Sequence, residues 1–332
     1  MINTTIKKVT ANDDLTFEEM NQVMDEIMDG DATPVQIAAM LTALTTKGTT
    51  VTEIAGAARS MRAHAAEFDQ QQAALDISGT GGDHSNSFNI STTTGLVVAS
   101  LGIPVVKHGN RAASSKSGAA DMLQALGFDI NLSAAASEQM LVDRNFCFLF
   151  AQKYHQAMKY VAGVRKELGI RTIFNILGPL ANPAHAQHQL LGVYDEALLL
   201  PMVKVLKQLG VTNAKVIFGT DGLDEASISA PTKGISLVNG QLTPFTITPE
   251  SLGLTRASKA DIIGGTPADN AQITRDILNG MKGPKRDIVL LNAGLAINTA
   301  DPTITISEGI HMAANAIDSG QVNQLLTDLL AY

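Results

Sequence analysis

The first seventy residues carry apolar positions at helical spacing. Residues 16–19 (TFEE) form a capping box, and apolar side chains follow at intervals of three and four until Gly30. Residues 33–36 (TPVQ) form a second box with proline at the first helical position, and that helix extends to Gly48. Residues 50–53 open a third helix. The methionines on these stripes predict a packed helical core.

From Leu75 the pattern changes to short apolar runs that alternate with helical segments. The predicted strands cover 75–78, 103–107, 146–150, 189–194 and 214–218, and the predicted helices between them cover 91–101, 118–126 and 196–209. This alternation predicts a mostly parallel central sheet flanked by helices. Residues 235–238, followed by Asn239 and Gly240, indicate a hairpin arm, and helices return after Pro267.

A polar run at 69–72 (DQQQ) separates the two patterns. The sequence therefore predicts an α/β protein with a small all-helical N-terminal domain over 1–70. A larger α/β domain is expected over 71–332.

Composition narrows the class of protein. The chain has 332 residues, 45% of them hydrophobic, and a net charge of −8, which argues against a general nucleic-acid binder. No apolar stretch approaches the roughly 18 residues that a membrane helix needs. The N-terminus lacks the apolar segment of a secretory signal. The single cysteine, Cys147, lies in the run FCFLF and is expected to be a packed, inert thiol, so a cytoplasmic location is predicted.

Residues 76–83 (DISGTGGD) lead from a predicted strand into a glycine-rich loop. Glycine lets backbone N–H groups converge on an anion and tolerates positive φ. Most of residues 84–94 are Ser, Thr or Asn, and 91–94 are predicted to form the first turn of a helix, which attracts phosphate. Taken alone, a tight turn and ordinary helix caps explain the same residues.

A basic loop follows the second predicted strand. Lys107, His108 and Arg111 lie within the five residues KHGNR, and a small, polar stretch continues to Gly118. Lysine suits phosphate, and backbone N–H groups of the stretch could enclose a second phosphate. A solvated surface loop is the alternative. Two such loops at strand ends favour a phosphate-bearing small molecule.

Two further features bear on chemistry. Asp224 and Glu225 follow a predicted strand and suit magnesium, which prefers oxygen ligands, although an ordinary acidic turn would also explain them. Arg165 could bind a carboxylate or pair with Glu167 or Asp195. No nucleophile elbow, reactive cysteine setting or metalloprotease helix is present in the sequence. Substrate positioning and charge stabilisation are therefore the expected means of catalysis.

Five segments together resemble one enzyme family. They are GTGGD at 79–83, NIST at 89–92, KHGNR at 107–111, RKELGIRTIFNILGPLANP at 165–183 and DGLDE at 221–225. In order and spacing they are similar to the anthranilate phosphoribosyltransferases, and the match covers nearly the whole chain. The resemblance implies transfer of a phosphoribosyl group from phosphoribosyl pyrophosphate to the amino group of anthranilate, with release of pyrophosphate, in tryptophan biosynthesis.

The resemblance also implies site residues and Mg²⁺ as the cofactor. Pyrophosphate would be held by Gly79, Gly82 and Asp83. The ribose and phosphate groups would be held by Ser87, Asn89, Ile90, Ser91, Thr92, Lys107, Gly109, Arg111, Ala112, Ala113, Ser114, Ser115 and Ala119. Asp83 and Lys107 would position the donor, with no strong acid or base. Magnesium would be bound by Ser91, and Asp224 and Glu225 would bind or position it. Asn110 and Arg165 would meet anthranilate, with His108 and Pro179 lining its approach.

One departure from the family pattern concerns Ala119. The family often has Ser-Ala-Asp where this chain has Ala119, Ala120 and Asp121, so a hydroxyl contact to phosphate would be lost. The backbone N–H of Ala119 could still serve.

The resemblance also bears on assembly. It implies a homodimer that contacts through the helical part, and a helical domain joined by about 165–185. An association with the glutamine amidotransferase of the same pathway is left open. The alternatives are a pyrimidine nucleoside phosphorylase and a non-catalytic relative that binds nucleic acid, the latter disfavoured by the negative charge.

Overall fold

Four helices form the N-terminal part of the chain. The computed structural model describes residues 1–112 and 115–332. The four helices are α1 (Ile2–Thr10), α2 (Phe17–Asp29), α3 (Pro34–Lys47) and α4 (Val51–Ala63). Thr16, Thr33 and Thr50 each accept the N–H of the third helical residue, whose side chain returns to the cap. The predicted starts of α2, α3 and α4 are confirmed, whereas α1 was not singled out.

A seven-stranded sheet forms the centre of the larger part. Its strands are β1 (Leu75–Gly79), β2 (Val105–Gly109), β3 (Phe146–Phe150), β4 (His188–Gly192), β5 (Asn213–Gly219), β6 (Thr232–Val238) and β7 (Gln241–Ile247). The order is β3-β2-β1-β4-β5-β6-β7, and the first five are parallel. β6 and β7 add an antiparallel edge hairpin through Asn239 and Gly240, both at positive φ. The predicted mostly parallel sheet is confirmed.

The strand order reverses direction at β1. From β1 the chain first adds β2 and β3 on one side, and later adds β4 and β5 on the other. β1 and β4 pair along their whole length, so that Gly79 lies opposite Gly192, whereas β1 and β2 pair only at Leu75 and Val105. Such a switch point opens a crevice at the carboxyl ends of the strands.

Helices cover both faces of the sheet. The remaining helices are α5 (Ile90–Ser100), α6 (Ala119–Leu126), α7 (Ala134–Arg144), α8 (Ala151–Tyr154), α9 (Lys159–Leu168), α10 (Phe174–Leu177), α11 (Leu199–Gln208), α12 (Pro267–Leu278), α13 (Pro284–Ala300), α14 (Ile306–Asp318) and α15 (Gln321–Leu330). α5 and α13 pack together over one face, where the largest apolar core lies. On the other face α11 packs against α4, so the core of the helical part continues onto the sheet.

The segment after β3 returns to the N-terminal helices. α9 contacts α2 and α3, and α10 contacts α4. The buried side chains of Val161 and Leu177 belong to the same apolar cluster as α2. Within the described ranges, none of the helices combines the length and hydrophobicity that crossing a bilayer requires.

Three predicted boundaries are corrected by the structure. The strand predicted at 103–107 is Val105–Gly109, because Pro104 has no N–H and instead accepts the N–H of Leu75 at 2.8 Å. The strand predicted at 189–194 ends at Gly192. The helix predicted at 196–209 begins as a 3-10 turn over Glu196–Leu198, which the Asp195 side chain caps, before α11 continues.

Candidate active site

One cavity of about 930 Å³ opens at the carboxyl ends of β1, β2 and β4. Its lining includes every described residue that the sequence had singled out. These are Gly79, Gly82, Asp83, Ser87, Asn89, Ile90, Ser91, Thr92, Lys107, His108, Gly109, Asn110, Arg111, Ala112, Ser115, Ala119, Arg165, Pro179, Asp224 and Glu225. Ala113 and Ser114, also singled out, lie outside the described residues. The glycine loop, the basic loop and the acidic pair thus share one cleft.

Asp224 lies across the ends of β1 and β4. Its Oδ2 accepts the N–H of Gly81 at 2.7 Å. A Cβ on Gly79 would overlap the Asp224 carboxylate, and a Cβ on Gly192 would overlap its carbonyl oxygen. Two strand-end glycines, paired in register, therefore make the room for the acidic pair.

Glu225 is connected to the basic loop through Ser91. The carboxylate of Glu225 accepts the N–H of Ser91 at 3.2 Å, and Lys107 Nζ donates to the Ser91 hydroxyl at 3.1 Å. Lys107 also donates to the carbonyl of Ile77 at 2.7 Å and is 3% exposed. The lysine ammonium is thus fixed in the floor of the cavity, beside the carboxyl end of β1.

Burial perturbs the ionisable groups of this floor. Burial, followed by repulsion from the Asp83 and Glu225 carboxylates, raises the pKa of Asp224 well above its ordinary value. Burial also raises the pKa of Glu225, against the effect of Lys107. The pKa of Lys107 is lowered by burial, although the carboxylate of Asp76 opposes this. The site therefore crowds negative charge in a low-dielectric floor, which favours binding of a cation there.

Several backbone N–H groups expected to face an anion have protein partners instead. Gly81 and Ser91 donate to the acidic pair, as described above. In the basic loop, Arg111 N–H donates to the Asn110 side chain and Ala112 N–H to Asp121, each at 2.8 Å. Oxygens of the protein and of an anion compete for the same N–H donors. Loop composition alone therefore predicts more N–H groups free for an anion than the structure has.

Asn89 organises the cavity wall. Its side chain donates to the carbonyl of Ser117 at 3.2 Å and accepts from the Ser117 hydroxyl at 3.2 Å. The side chain of Asn270, in α12, donates to Asn89 Oδ1 at 2.9 Å. Asn89 therefore joins the start of α5 to the end of the basic loop, a structural task its position in the sequence does not reveal.

Arg165 of α9 also lines the cavity. Its guanidinium is 5.4 Å from the ring centroid of Phe174. Among the described residues it forms no ion pair, so the pairing with Glu167 or Asp195 that was considered from the sequence is absent there. Burial lowers the pKa of Arg165. This cation faces a cavity wall that also contains Pro179.

Two histidines lie beside Pro179 in this wall. The rings of His108 and His155 meet edge to face with centroids 5.0 Å apart, and the buried Nε2 atom of each has no hydrogen-bond partner within residues 1–112 and 115–332. Burial lowers the pKa of His108 to about 3 and that of His155 to about 4. Both imidazoles are therefore neutral at pH 7.

Sequence reasoning missed several residues of the cavity lining. Among them are His155, Arg171 and Tyr194. His155 follows the carboxyl end of β3, and Tyr194 follows that of β4, so the strand-end logic applied to β1 and β2 could have found both. Arg171 lies in a segment quoted for the resemblance but was not singled out.

Comparison with known proteins gives the family. A model of the glycosyl transferase family α/β domain matches residues 71–323, and a model of its helical bundle domain matches residues 3–65. An anthranilate phosphoribosyltransferase of Lacticaseibacillus paracasei is 59% identical over 332 residues, which cover 100% of this chain and 97% of the relative. The chain belongs to the anthranilate phosphoribosyltransferase family.

Solved structures of the family have the same fold. The anthranilate phosphoribosyltransferase of Thermus thermophilus superposes with a TM-score of 0.93 at 40% identity, covering 98% of each chain. The enzyme of Saccharomyces cerevisiae in complex with PRPP and Mg has a TM-score of 0.91 at 28% identity, covering 99% of this chain and 98% of that one. Family membership therefore extends over both the helical part and the α/β part.

Proposed function

We propose that this protein transfers the 5-phosphoribosyl group of phosphoribosyl pyrophosphate to the amino nitrogen of anthranilate, in tryptophan biosynthesis. The C1–O bond to pyrophosphate breaks, a C1–N bond forms and the amine loses a proton. One observation carries the proposal: Gly81, Lys107 and Glu225 line a single cavity, which is also lined by Arg165, a cation with no ion-pair partner among the described residues.

The phosphate-rich donor is expected at the end of the cavity formed by β1, β2 and α5. Lys107 supplies a buried positive charge there, and the N-terminus of α5 points its dipole at the same space. Among the described residues the buried Thr92 hydroxyl has no hydrogen-bond partner, and Thr92 lines the cavity, so this hydroxyl is available to a phosphate or ribose oxygen. These groups bind and orient the donor, while Asp83 and Lys107 position it.

Magnesium fits the residues of the acidic floor. Within the described residues no three His, Cys, Asp or Glu side chains form a complete metal-binding group. Magnesium commonly combines one or two carboxylates with substrate phosphates. In the part of the chain that the structure describes, the buried Asp83 Oδ2 has no hydrogen-bond partner, and the Asp224 and Glu225 carboxylates repel each other. Asp224, Glu225 and Ser91 would hold Mg²⁺, which when bound would stabilise the charge of pyrophosphate.

Anthranilate is expected at the Arg165 end. An arginine can hold a carboxylate with two parallel hydrogen bonds, and Asn110 offers a further polar side chain at the cavity edge. The neutral rings of His108 and His155, together with Pro179, provide uncharged surface in the cavity wall. Because the aniline nitrogen of anthranilate is already neutral at pH 7, the chain needs no strong general base to activate it.

We propose further that the helical domain comprises 1–70 with about 165–185, which the packing of α9 and α10 on α2, α3 and α4 supports. The protein is a cytoplasmic homodimer that contacts through this part, where Val35 and Ile170 are exposed apolar side chains. Ala119 serves the donor through its backbone N–H, its methyl group lying close to Gly109. A glutamine amidotransferase of the pathway is a candidate partner.

Loss of anthranilate fluorescence tests the function directly. Purified protein is mixed with anthranilate and phosphoribosyl pyrophosphate, with and without Mg²⁺. We expect anthranilate consumption that requires both the donor and the metal. Phosphate-dependent release of uracil or thymine from nucleosides, without loss of anthranilate, would instead support the nucleoside phosphorylase alternative. Protein that consumes neither substrate set would overturn the enzymatic proposal.

A further inference from the structure

Arg171 connects the helical part of the chain to the glycine loop. It lies between α9 and α10, and the Thr45 hydroxyl of α3 donates to its carbonyl at 3.4 Å. Its side chain lines the cavity and donates from Nη2 to the carbonyl of Gly82 at 3.0 Å. One residue thus contacts both parts of the chain at the edge of the cavity.

Tyr194 holds the guanidinium in place. The guanidinium carbon of Arg171 is 4.2 Å from the centroid of the Tyr194 ring, which is close for a cation–π contact. Tyr194 is itself fixed, since its N–H donates to the Thr80 hydroxyl at 3.1 Å, and Thr80 N–H donates to the carbonyl of Gly192 at 3.0 Å. The stacking surface therefore lies just after the end of β4 and is bonded to the residue that follows β1, where the glycine loop begins.

Arg171 carries a positive charge that no carboxylate neutralises among the described residues. Arg111, by contrast, pairs with Asp121 at 2.8 Å, and Arg286 pairs with Asp318 at 2.7 Å. Among the residues that the structure describes, the bond to Gly82 is the one hydrogen bond that the Arg171 guanidinium makes. Its charge is thus directed at the glycine loop.

The direction of the Gly82 carbonyl matters for anion binding. Gly81 and Gly82 have φ of 69° and 76°, so two adjacent left-handed residues leave the loop with many alternative conformations. A carbonyl oxygen turned into the cavity would repel phosphate. Arg171 binds that oxygen and offsets its partial negative charge, so the oxygen is not free to turn towards a phosphate. The bond occupies a carbonyl and none of the loop N–H groups, so it does not compete with an anion for them.

We infer that Arg171, braced by Tyr194, is a positioning residue for the sugar donor: it holds the Gly82 carbonyl and thereby keeps the glycine loop in its phosphate-receiving conformation. This inference rests on the proposed function. Arg171 acts through Gly82 and does not touch the reacting atoms.

Kinetics of Arg171→Ala give the first test. Losing a hydrogen bond to a charged group is expected to raise KM for phosphoribosyl pyrophosphate about 10-fold or more, with KM for anthranilate changed less than about twofold. Arg171→Lys, which keeps the charge but loses the flat stacking surface, should be intermediate. Arg59→Ala is the matched control, because it removes an arginine stacked 5.4 Å from Phe17 outside the cavity, and should leave both KM values unchanged.

Hydrogen exchange gives a second test without substrate. In Arg171→Ala and Tyr194→Ala, the amides of residues 80–84 should exchange faster than in wild type, and the double variant should be less than additive. Arg59→Ala should leave these amides unchanged. Unchanged loop exchange, or equal increases in both KM values, would overturn the inference. A wild-type protein without transferase activity but with faster loop exchange in Arg171→Ala would overturn only the proposed function.

Discussion

The backbone N–H of Gly81 donates to the carboxylate of Asp224 across 2.7 Å, although the two residues are 143 positions apart in the chain. This bond joins the glycine loop after β1 to the acidic pair after β5. Lys107, from β2, reaches the same floor through Ser91. Three strand ends thus contribute one group each to a single cavity, and the predictions below depend on that convergence.

Gly192→Ala is expected to impair both folding and activity. The new Cβ would overlap the carbonyl oxygen of Asp224, so the acidic pair must move. Overpacking of this kind costs about 2 kcal/mol or more in the free energy of unfolding, and we expect kcat to fall at least ~10-fold. Urea denaturation and steady-state kinetics measure the two effects.

Gly163→Ala is the matched control for that change. A Cβ at Gly163 meets no atom within 4 Å, and the residue lies inside α9. Replacing a helical glycine by alanine should stabilise the protein by up to about 1 kcal/mol and leave kcat unchanged. Equal, small effects at Gly163 and Gly192 would contradict the crowding described for Asp224.

Arg165→Ala is expected to weaken anthranilate binding selectively. Its guanidinium has no ion-pair partner in the described residues, and the side chain lines the cavity. Loss of a bidentate contact should raise KM for anthranilate at least ~10-fold and KM for the sugar donor less than about twofold. Initial rates with each substrate varied in turn measure this. Equal increases in both KM values would argue against a carboxylate clamp at this position.

His155 is expected to make stability depend on pH. Its pKa is lowered to about 4 in the folded protein from the ordinary value of 6.5, because the ring is buried. Between about pH 6.5 and about pH 4, His155 is therefore protonated in the unfolded chain and neutral in the folded chain. This contribution to stability is fully present above pH 6.5 and is lost as pH falls towards 4, at about 1.4 kcal/mol per pH unit.

A comparison with His155→Asn isolates this effect. The carboxyls of Asp76 and Glu225, whose pKa values burial raises, act in the opposite direction in both proteins. The difference in unfolding free energy between wild type and variant, from urea titrations, should therefore shrink as pH falls from about 6.5 to about 4.5. His311→Asn, on an exposed helical position, controls for the substitution itself. A difference that stays constant over this range would contradict a buried neutral imidazole.

The sequence predicted helix starts and turns well where a residue's own side chain or backbone preference determines the local structure. Thr16, Thr33 and Thr50 cap the helices that follow them, and their capping boxes are visible within four residues. Asn239 and Gly240 take the positive φ that a two-residue hairpin turn needs. Strand–helix alternation likewise predicted the parallel sheet.

Long-range partners could not be predicted in this way. The Gly81 N–H was expected to face an anion, yet it bonds Asp224, and Asn89 bonds Asn270 across 181 positions. Arg171 acts on Gly82 only because α9 and α10 return to the helical part. Such pairings depend on strand order and domain packing, which apolar periodicity does not encode.

The double variant Asp224→Asn, Glu225→Gln tests the central claim most directly. Both carboxylates are buried and repel each other, so the isosteric amides should leave the melting temperature unchanged or raise it. We expect kcat for anthranilate consumption to fall at least ~100-fold at millimolar Mg²⁺, the scale of one lost charge-stabilising group. Near-normal kcat in a folded double variant would contradict the account of a cation-assisted cleft.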